Sequence, residues 1–191
     1  MIMTMKRRTL IIGGVGLAGM GLAGWLGWRE TSRKAPQANR AMREPVQAEP
    51  NPSRFYEASL PDLQGSELSM STLKGQPLVV NFWATWCPPC VKEIPDLNRL
   101  AAKHTQATFV GVAVDTADNV REFIKTVPIE YASVIAGHQG IDLVRALGNA
   151  AGGLPFTVLF RPDGEVQEII TGMVDPESLD RSVQRLVARS A

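Results

Sequence analysis

The chain has 191 residues, 45% hydrophobic and 6% aromatic, with a formal net charge of +1. That suits one globular domain with enough chain to bury a core, and it argues against a nucleic-acid-binding protein, which needs a clustered basic face. Residues 1–50 hold eight Lys and Arg against three Asp and Glu, and residues 51–191 hold twelve against sixteen, so the basic excess is confined to the N-terminus.

In chain order, residues 1–9 form a basic tail with Lys6, Arg7 and Arg8. Leu10 to Trp28 follows, nineteen residues without a charge. At about 1.5 Å per residue such a helix nearly spans the ~30 Å hydrocarbon core, and Trp25 and Trp28 stand where indoles favour the interface. A buried core helix is the plainer alternative, but seven glycines in nineteen residues make a poor soluble helix. Residues 10–28 are therefore expected to be a transmembrane anchor or signal segment. The stretch ends in Trp-Leu-Gly-Trp-Arg, bulky where a signal peptidase wants small residues, which favours a retained anchor over cleavage. The Arg7-Arg8 pair resembles a twin-arginine signal. Arg29, Arg33, Lys34, Arg40 and Arg43 compete with the N-terminal cations, so charge counting leaves orientation open. A signal-like N-terminus and a reactive cysteine pair favour the non-cytoplasmic side, where thiol chemistry is compartment-specific. The expected placement is single-pass in the inner, cytoplasmic membrane with the domain facing the periplasm or cell exterior, or release to the periplasm if the segment is cleaved.

Residues 29–54, with Pro36, Pro45, Pro50 and Pro52 among polar residues, read as a flexible linker. The domain is expected over 55–191. Phe55 to Leu73 reads as an irregular strand or hairpin turning at Gly65. Residues 78–84 (LVVNFWA) suit a strand buried on both faces. Val91, Ile94, Leu97 and Leu100 mark a helix. Residues 108–114 read as a second buried strand, 118–126 as a helix, 131–135 as a short strand and 141–147 as a short helix. FTVLF at 156–160 and 166–170 read as a hairpin turning at Pro162-Asp163-Gly164. Asp175-Pro176-Glu177 opens a last helix with a cap, a first-turn proline and an acid at the positive dipole end. The order gives an α/β fold, a mixed sheet with helices on both faces.

Both cysteines of the chain lie in NFWATWCPPCVKEIP, separated by Pro88 and Pro89. Closing a loop of about four residues constrains the unfolded chain by roughly 2 kcal/mol, against about 4.7 for a 100-residue loop. Such a bridge is a poor staple and reads instead as a redox pair. Cys87 falls at the start of a helix, where the dipole and free N–H groups favour thiolate, so it is cast as the exposed nucleophile. Cys90, one turn on, would resolve the mixed disulfide. The prolines fit first-turn positions but remove donors that could steady the thiolate.

WCPPC after VVNFWAT resembles the thioredoxin superfamily. The fuller pattern, with LPDLQGSELSMSTLKGQPLVV before it and GGLPFTVLFRPDGEV after it, resembles the TlpA/ResA-like membrane-anchored thiol–disulfide oxidoreductases used in cytochrome c maturation and related reductive tasks. The resemblance covers residues 55–188. It implies a thioredoxin fold: a mixed central sheet flanked by helices, with an N-terminal strand or hairpin extension and a central insertion. It implies that Pro155 is cis and packs beside the disulfide, and that Pro95 kinks the active-site helix. Trp86, Pro88, Pro89, Leu154 and Pro155 become the expected contacts with substrate, and many relatives carry Thr where this chain has Leu154. Where general thioredoxins carry a buried aspartate this chain has Asn81, which cannot take a proton. Glu93 matches the acid of the family's CxxCxxE pattern; the blander reading is a helix-surface acid beside Lys92. The resemblance implies no cofactor. The implied partners are disulfide-bearing proteins, such as an apocytochrome c or an oxidase assembly factor, and a membrane thiol donor.

Two rival functions use the same motif. A CxxC can hold Cu(I) between two thiolates, which would suit a metallochaperone in oxidase assembly; no His or Met cluster accompanies it, and no metal ligands are assigned. A thiol peroxidase would want a lone peroxidatic cysteine with a nearby Thr and Arg. His104 and His138 lack ligand spacing and read as surface residues. Trp86 is expected to shield the disulfide and Trp83 to lie in the core.

Overall fold

A computed structural model of the chain describes residues 49–190. The basic tail, the apolar stretch 10–28 and most of the expected linker lie outside the described residues. No helix among the described residues is long and apolar enough to cross a membrane.

The first element is a short helix, α1 (Pro52–Tyr56), opened by a proline at its first position. It corrects the linker boundary at 54 and the strand expected from Phe55. The cause is tertiary. Asn51 N–H donates to Ala146 O at 2.8 Å, and Phe55 stacks on Phe160 at 5.3 Å between ring centres. A small hairpin follows, β1 (Ser59–Pro61) and β2 (Glu67–Ser69), with a 3-10 turn over Met70–Leu73.

The main sheet has five strands: β3 (Leu78–Trp83), β4 (Thr108–Ala113), β5 (Ala132–Ile135), β6 (Phe156–Phe160) and β7 (Val166–Thr171). Their spatial order is β5-β4-β3-β6-β7. Every residue of β3 and β6 is buried, which is why both read as apolar runs, each interrupted by one polar residue, Asn81 and Thr157. β3, β4 and β5 pair in parallel because helices carry the chain back between them: α2 (Pro88–Lys103) and α3 (Ala117–Phe123). β6 and β7 pair antiparallel across a tight turn in which Gly164 adopts φ +89°. The segment between β4 and β6 inserts α3, edge strand β5 and α4 (Gly140–Ala146). The chain ends on α5 (Pro176–Ala188), capped by the Asp175 side chain on Ser178 N–H.

Alternation divides the core. Leu78, Val80, Phe82, Val110, Val112, Phe156, Val158 and Phe160 face one side, with α1, the hairpin and α4. Val79, Phe109 and Leu159 face the other, under α2 and α5. Trp83, Ala113, Cys87, Cys90 and Ile94 close the end of that second layer. The cysteines therefore sit at the carboxyl end of the central strand, on a rigid base.

Candidate functional site

β3 ends at Trp83 and α2 begins at Pro88, so four residues must turn the chain. Thr85 fixes the turn. Its N–H donates to Asp115 Oδ2 at 3.1 Å and its hydroxyl donates to the same oxygen. Asp115 Oδ1 accepts Thr116 N–H and Asn119 Nδ2, each at 2.7 Å. Burial alone would raise the Asp115 pKa, but these bonds from Thr85, Asn119 and Thr116 outweigh it and hold the carboxyl below its ordinary value. The ends of β3 and β4 are thereby tied together beside the motif.

Cys87 is the N-cap of α2 and Pro88 and Pro89 fill its first turn. Cys90 N–H donates to Cys87 Sγ at 3.3 Å, and the two cysteines are joined by a disulfide. Cys87 retains 5% exposure and Cys90 none. Cys87 is the more open of the two, yet it is less exposed than expected, because the bridged pair packs into a cluster with Trp83, Ile94 and Leu154. Trp86 is 63% exposed, so it stands outside that cluster rather than covering it. Trp83 is fully buried.

Glu93 lies one turn beyond Cys90 on the same face of α2. It is 2% exposed, which rules out the surface-acid reading. Its Oε1 accepts Asn81 Nδ2 at 2.8 Å and its Oε2 accepts Val174 N–H at 2.9 Å. Burial raises the Glu93 pKa, while the bonds from Val174 and Asn81 pull against the rise without cancelling it. Asn81 also donates to Thr157 Oγ1 at 3.0 Å. One acid thus joins α2, β3 and the loop before α5.

The Leu154–Pro155 peptide is cis. Pro155 O accepts Gly172 N–H at 2.9 Å, and no backbone hydrogen bond among the described residues uses the Leu154 N–H or C=O. The structure thus brings Cys87, Cys90 and Leu154 into one cluster and sets Glu93 on the same helix. It also adds groups the sequence reading missed: Val174 N–H, Thr157, the Thr85–Asp115 tie, and Met173, which is 56% exposed next to Val174. None carries a local signal except Met173, a large apolar residue between Gly172 and an N-cap. His104 is corrected too. Its side chain is 10% exposed and Nε2 lies 2.6 Å from Asp180 Oδ1, which Lys103 also reaches at 2.7 Å; the three join α2 to α5. Among the described residues no group of three or more His, Cys, Asp or Glu is placed to hold a metal ion.

The redoxin family pattern matches residues 34–185. The chain belongs to the redoxin family. This redoxin is 32% identical over 130 residues to thiol-disulfide oxidoreductase ResA of Geobacillus kaustophilus, covering 66% of this chain and 72% of that protein. It superimposes on a thiol:disulfide interchange protein of the thioredoxin family from Chlorobium tepidum with a TM-score of 0.58 and 34% identity, over 68% of this chain and 92% of the other. It also matches a secreted Mycobacterium tuberculosis disulfide oxidoreductase homologous to E. coli DsbE, with a TM-score of 0.59 and 25% identity over 70% and 98% of the two chains. The redoxin is therefore a TlpA/ResA-like member of the thioredoxin superfamily with the thioredoxin fold, and its activity is that of a thiol–disulfide oxidoreductase.

Proposed function

We propose that this redoxin is an extracytoplasmic reductant that passes electrons from the Cys87–Cys90 dithiol to disulfides in partner proteins, in cytochrome c maturation or a related assembly task. The observation that carries the direction is the buried Glu93 carboxylate, one turn from Cys90 on the same helix face. Negative charge there disfavours a thiolate at Cys90. Pro88 and Pro89 have no N–H to offer, so a Cys87 thiolate draws on the Cys90 N–H. A couple whose thiolate is weakly stabilised prefers the disulfide, which makes the dithiol a reductant.

The steps balance as a two-electron exchange. The Cys87 thiolate attacks one sulfur of the partner disulfide, forming a mixed disulfide and expelling the other sulfur as a thiolate, which takes up a proton. Cys90 gives its proton to Glu93 and attacks Cys87 Sγ. The Cys87–Cys90 bond forms and the partner's second sulfur leaves reduced. A membrane thiol donor then returns two electrons to the pair. Trp86, Pro88 and Pro89 lie on the approach to Cys87. Leu154 and Pro155 form the edge on which a partner strand docks, supported by the free backbone groups of Leu154.

The placement outside the cytoplasm rests on the uncharged stretch Leu10 to Trp28 as a membrane anchor and is supported by the secreted relative. The deciding measurement is the reduction potential of the 87–90 pair. A reductant is expected to lie below about −200 mV, toward thioredoxin and away from the oxidants, and a value above that makes the protein an oxidant.

A further inference from the structure

The chain passes from β7 to α5 through Gly172, Met173, Val174 and Asp175, and three of the four are tied down. Gly172 leaves the strand at φ +87°, and its N–H donates to Pro155 O at 2.9 Å. Val174 is 3% exposed, packs in the layer under α2 and α5, and donates its N–H to Glu93 Oε2 at 2.9 Å. The Asp175 side chain is engaged at Ser178 N–H. Met173 alone is held only through its neighbours. Its side chain is exposed, and no backbone hydrogen bond among the described residues uses its N–H or C=O.

The register says what Met173 stands beside. Thr171 pairs with Phe156, and Gly172 bonds to Pro155. One further step of the same antiparallel ladder puts Met173 opposite Leu154. Leu154 packs against the cluster of Cys87 and Cys90. An exposed thioether therefore adjoins the edge beside the disulfide, and what fixes it from behind is the bond from Val174 to Glu93.

Glu93 meets two donors, and they differ. The Asn81 amide can reverse, and its Oδ1 is buried without a protein partner among the described residues, free to accept an acid O–H. The Val174 N–H can only donate. When Glu93 is protonated, the Asn81 side gains a complement, whereas the Val174 bond falls from charge-assisted to neutral, to about half its strength. Of the other groups around Glu93, Thr157 is engaged with Asn81, and Lys92 points to solvent. The Tyr131 phenol is raised by burial and by the Glu93 charge, so it stays protonated and supplies no competing charge. The charge on Glu93 thus acts chiefly on the loop.

We propose that Glu93 is also a positioning residue for the partner site: its carboxylate sets Met173 through the Val174 N–H, Met173 receives an apolar side chain next to the partner's disulfide, and the hold eases when Glu93 takes the Cys90 proton. The last clause rests on the reading of Glu93 as that proton's acceptor; the first two do not. The partner is held while the mixed disulfide stands and is loosened as the Cys87–Cys90 bond forms. Methionine suits the place because its flexible thioether packs against apolar groups of varied shape.

Two short peptide disulfides test this on the full chain in detergent, identical except for Leu or Ser beside their cysteines. Selectivity is the ratio of their second-order rates of mixed-disulfide formation; the first-order collapse of the mixed disulfide is followed separately. The parent is expected to prefer the Leu peptide about tenfold, the worth of one partly buried Leu. Glu93→Gln leaves a neutral acceptor for the Val174 N–H and is expected to lower the preference to about threefold. Met173→Ser is expected to remove it, and adding Glu93→Gln to Met173→Ser should then change the ratio no further. In the oxidised parent the Val174 amide proton should move upfield as the Glu93 carboxyl carbon titrates to the acid. Equal rates for the two peptides in the parent overturn the proposal. So does a full Leu preference in Glu93→Gln, an additive double variant, or a Val174 amide that ignores the titration. Collapse at the parent rate in Glu93→Gln, with the preference still lowered, removes the proton role and the easing with it, and leaves Glu93 as the residue that positions Met173.

Discussion

Asn81 Nδ2 donates a 2.8 Å hydrogen bond to Glu93 Oε1, and both side chains are buried. The contact joins the central strand to the active-site helix through a group that cannot titrate and one that can. An amide suits this place because it can reverse. Facing a carboxylate it donates; facing a carboxylic acid it can turn its oxygen forward and accept, with Thr157 Oγ1 then donating to it instead.

That relationship sets a pH dependence of stability. The folded pKa of Glu93 is raised, chiefly by burial. A raised acid binds its proton more tightly in the folded state. Its contribution is therefore fullest below the unfolded value of about 4.3 and declines as pH rises through the folded value. Glu93→Gln removes the buried charge while its amide still meets Val174 N–H and a reversed Asn81. The variant is expected to melt a few degrees higher than the parent at pH 8, the scale that about 1 kcal/mol sets for a domain of this size. The gain should vanish near pH 4. Melting curves at the two pH values check this, and an equal shift at both excludes the buried charge as the cause.

Cys87 is expected to alkylate faster than Cys90 in the reduced protein, by tenfold or more. It caps the helix, receives the Cys90 N–H and is the more open of the two. Cys90→Ser should accumulate mixed disulfides through Cys87. Trapping by Cys87→Ser and not by Cys90→Ser reverses the assignment.

The Asp115 tie should carry a measurable share of the motif's rigidity. Asp115→Asn places an amide hydrogen against Thr85 N–H and is expected to cost about 1–3 kcal/mol in urea unfolding. Hydrogen bonding holds the carboxyl below its ordinary value, so its contribution is present at neutral pH and is lost as pH falls through the folded pKa. The variant should therefore lose less stability on acidification below pH 4 than the parent. A parallel acid profile shows that Asp115 does not supply the dependence.

Much of this was legible in the chain. The strands 78–83 and 156–160 are buried on both faces and so appear as apolar runs broken only by Asn81 and Thr157, and the Asp175 cap carries its own local signature. What stayed hidden depends on distant partners. Helix α1 has a linker's composition and is held by Ala146 and Phe160. His104 meets an acid 76 residues away. Glu93 follows Lys92 and reads locally as a surface acid, yet its partners come from 12 and 81 residues away. Local pattern gives a side chain's face on its helix, and the packing partner decides whether that face is wet.

The stretch Leu10 to Trp28 is expected to fix the protein to a membrane with residues 55–188 outside the cytoplasm. Alkaline phosphatase fused after Ala191 should be active, because that enzyme needs its disulfides to form. A well-expressed inactive fusion reverses the orientation. Release into the soluble fraction indicates cleavage instead.

Trp86 and Met173 are the exposed large apolar side chains among the described residues, at 63% and 56%. Each adjoins the site: Trp86 precedes Cys87, and Met173 precedes Val174, whose N–H holds Glu93. Exposed apolar groups cost little in a free protein and gain by burial under a partner, at about 25 cal/mol per Å². They are expected to touch the partner rather than the reacting sulfurs. Replacing both with Ser should therefore raise KM for a protein disulfide about tenfold and leave kcat within twofold. Reduction of a small disulfide, which is too short to reach both flanks, should be unchanged. An equal loss on the small and the protein substrates would mean that Trp86 and Met173 act on the chemistry or the fold of the motif, and the docking surface would have to be sought along Leu154 alone.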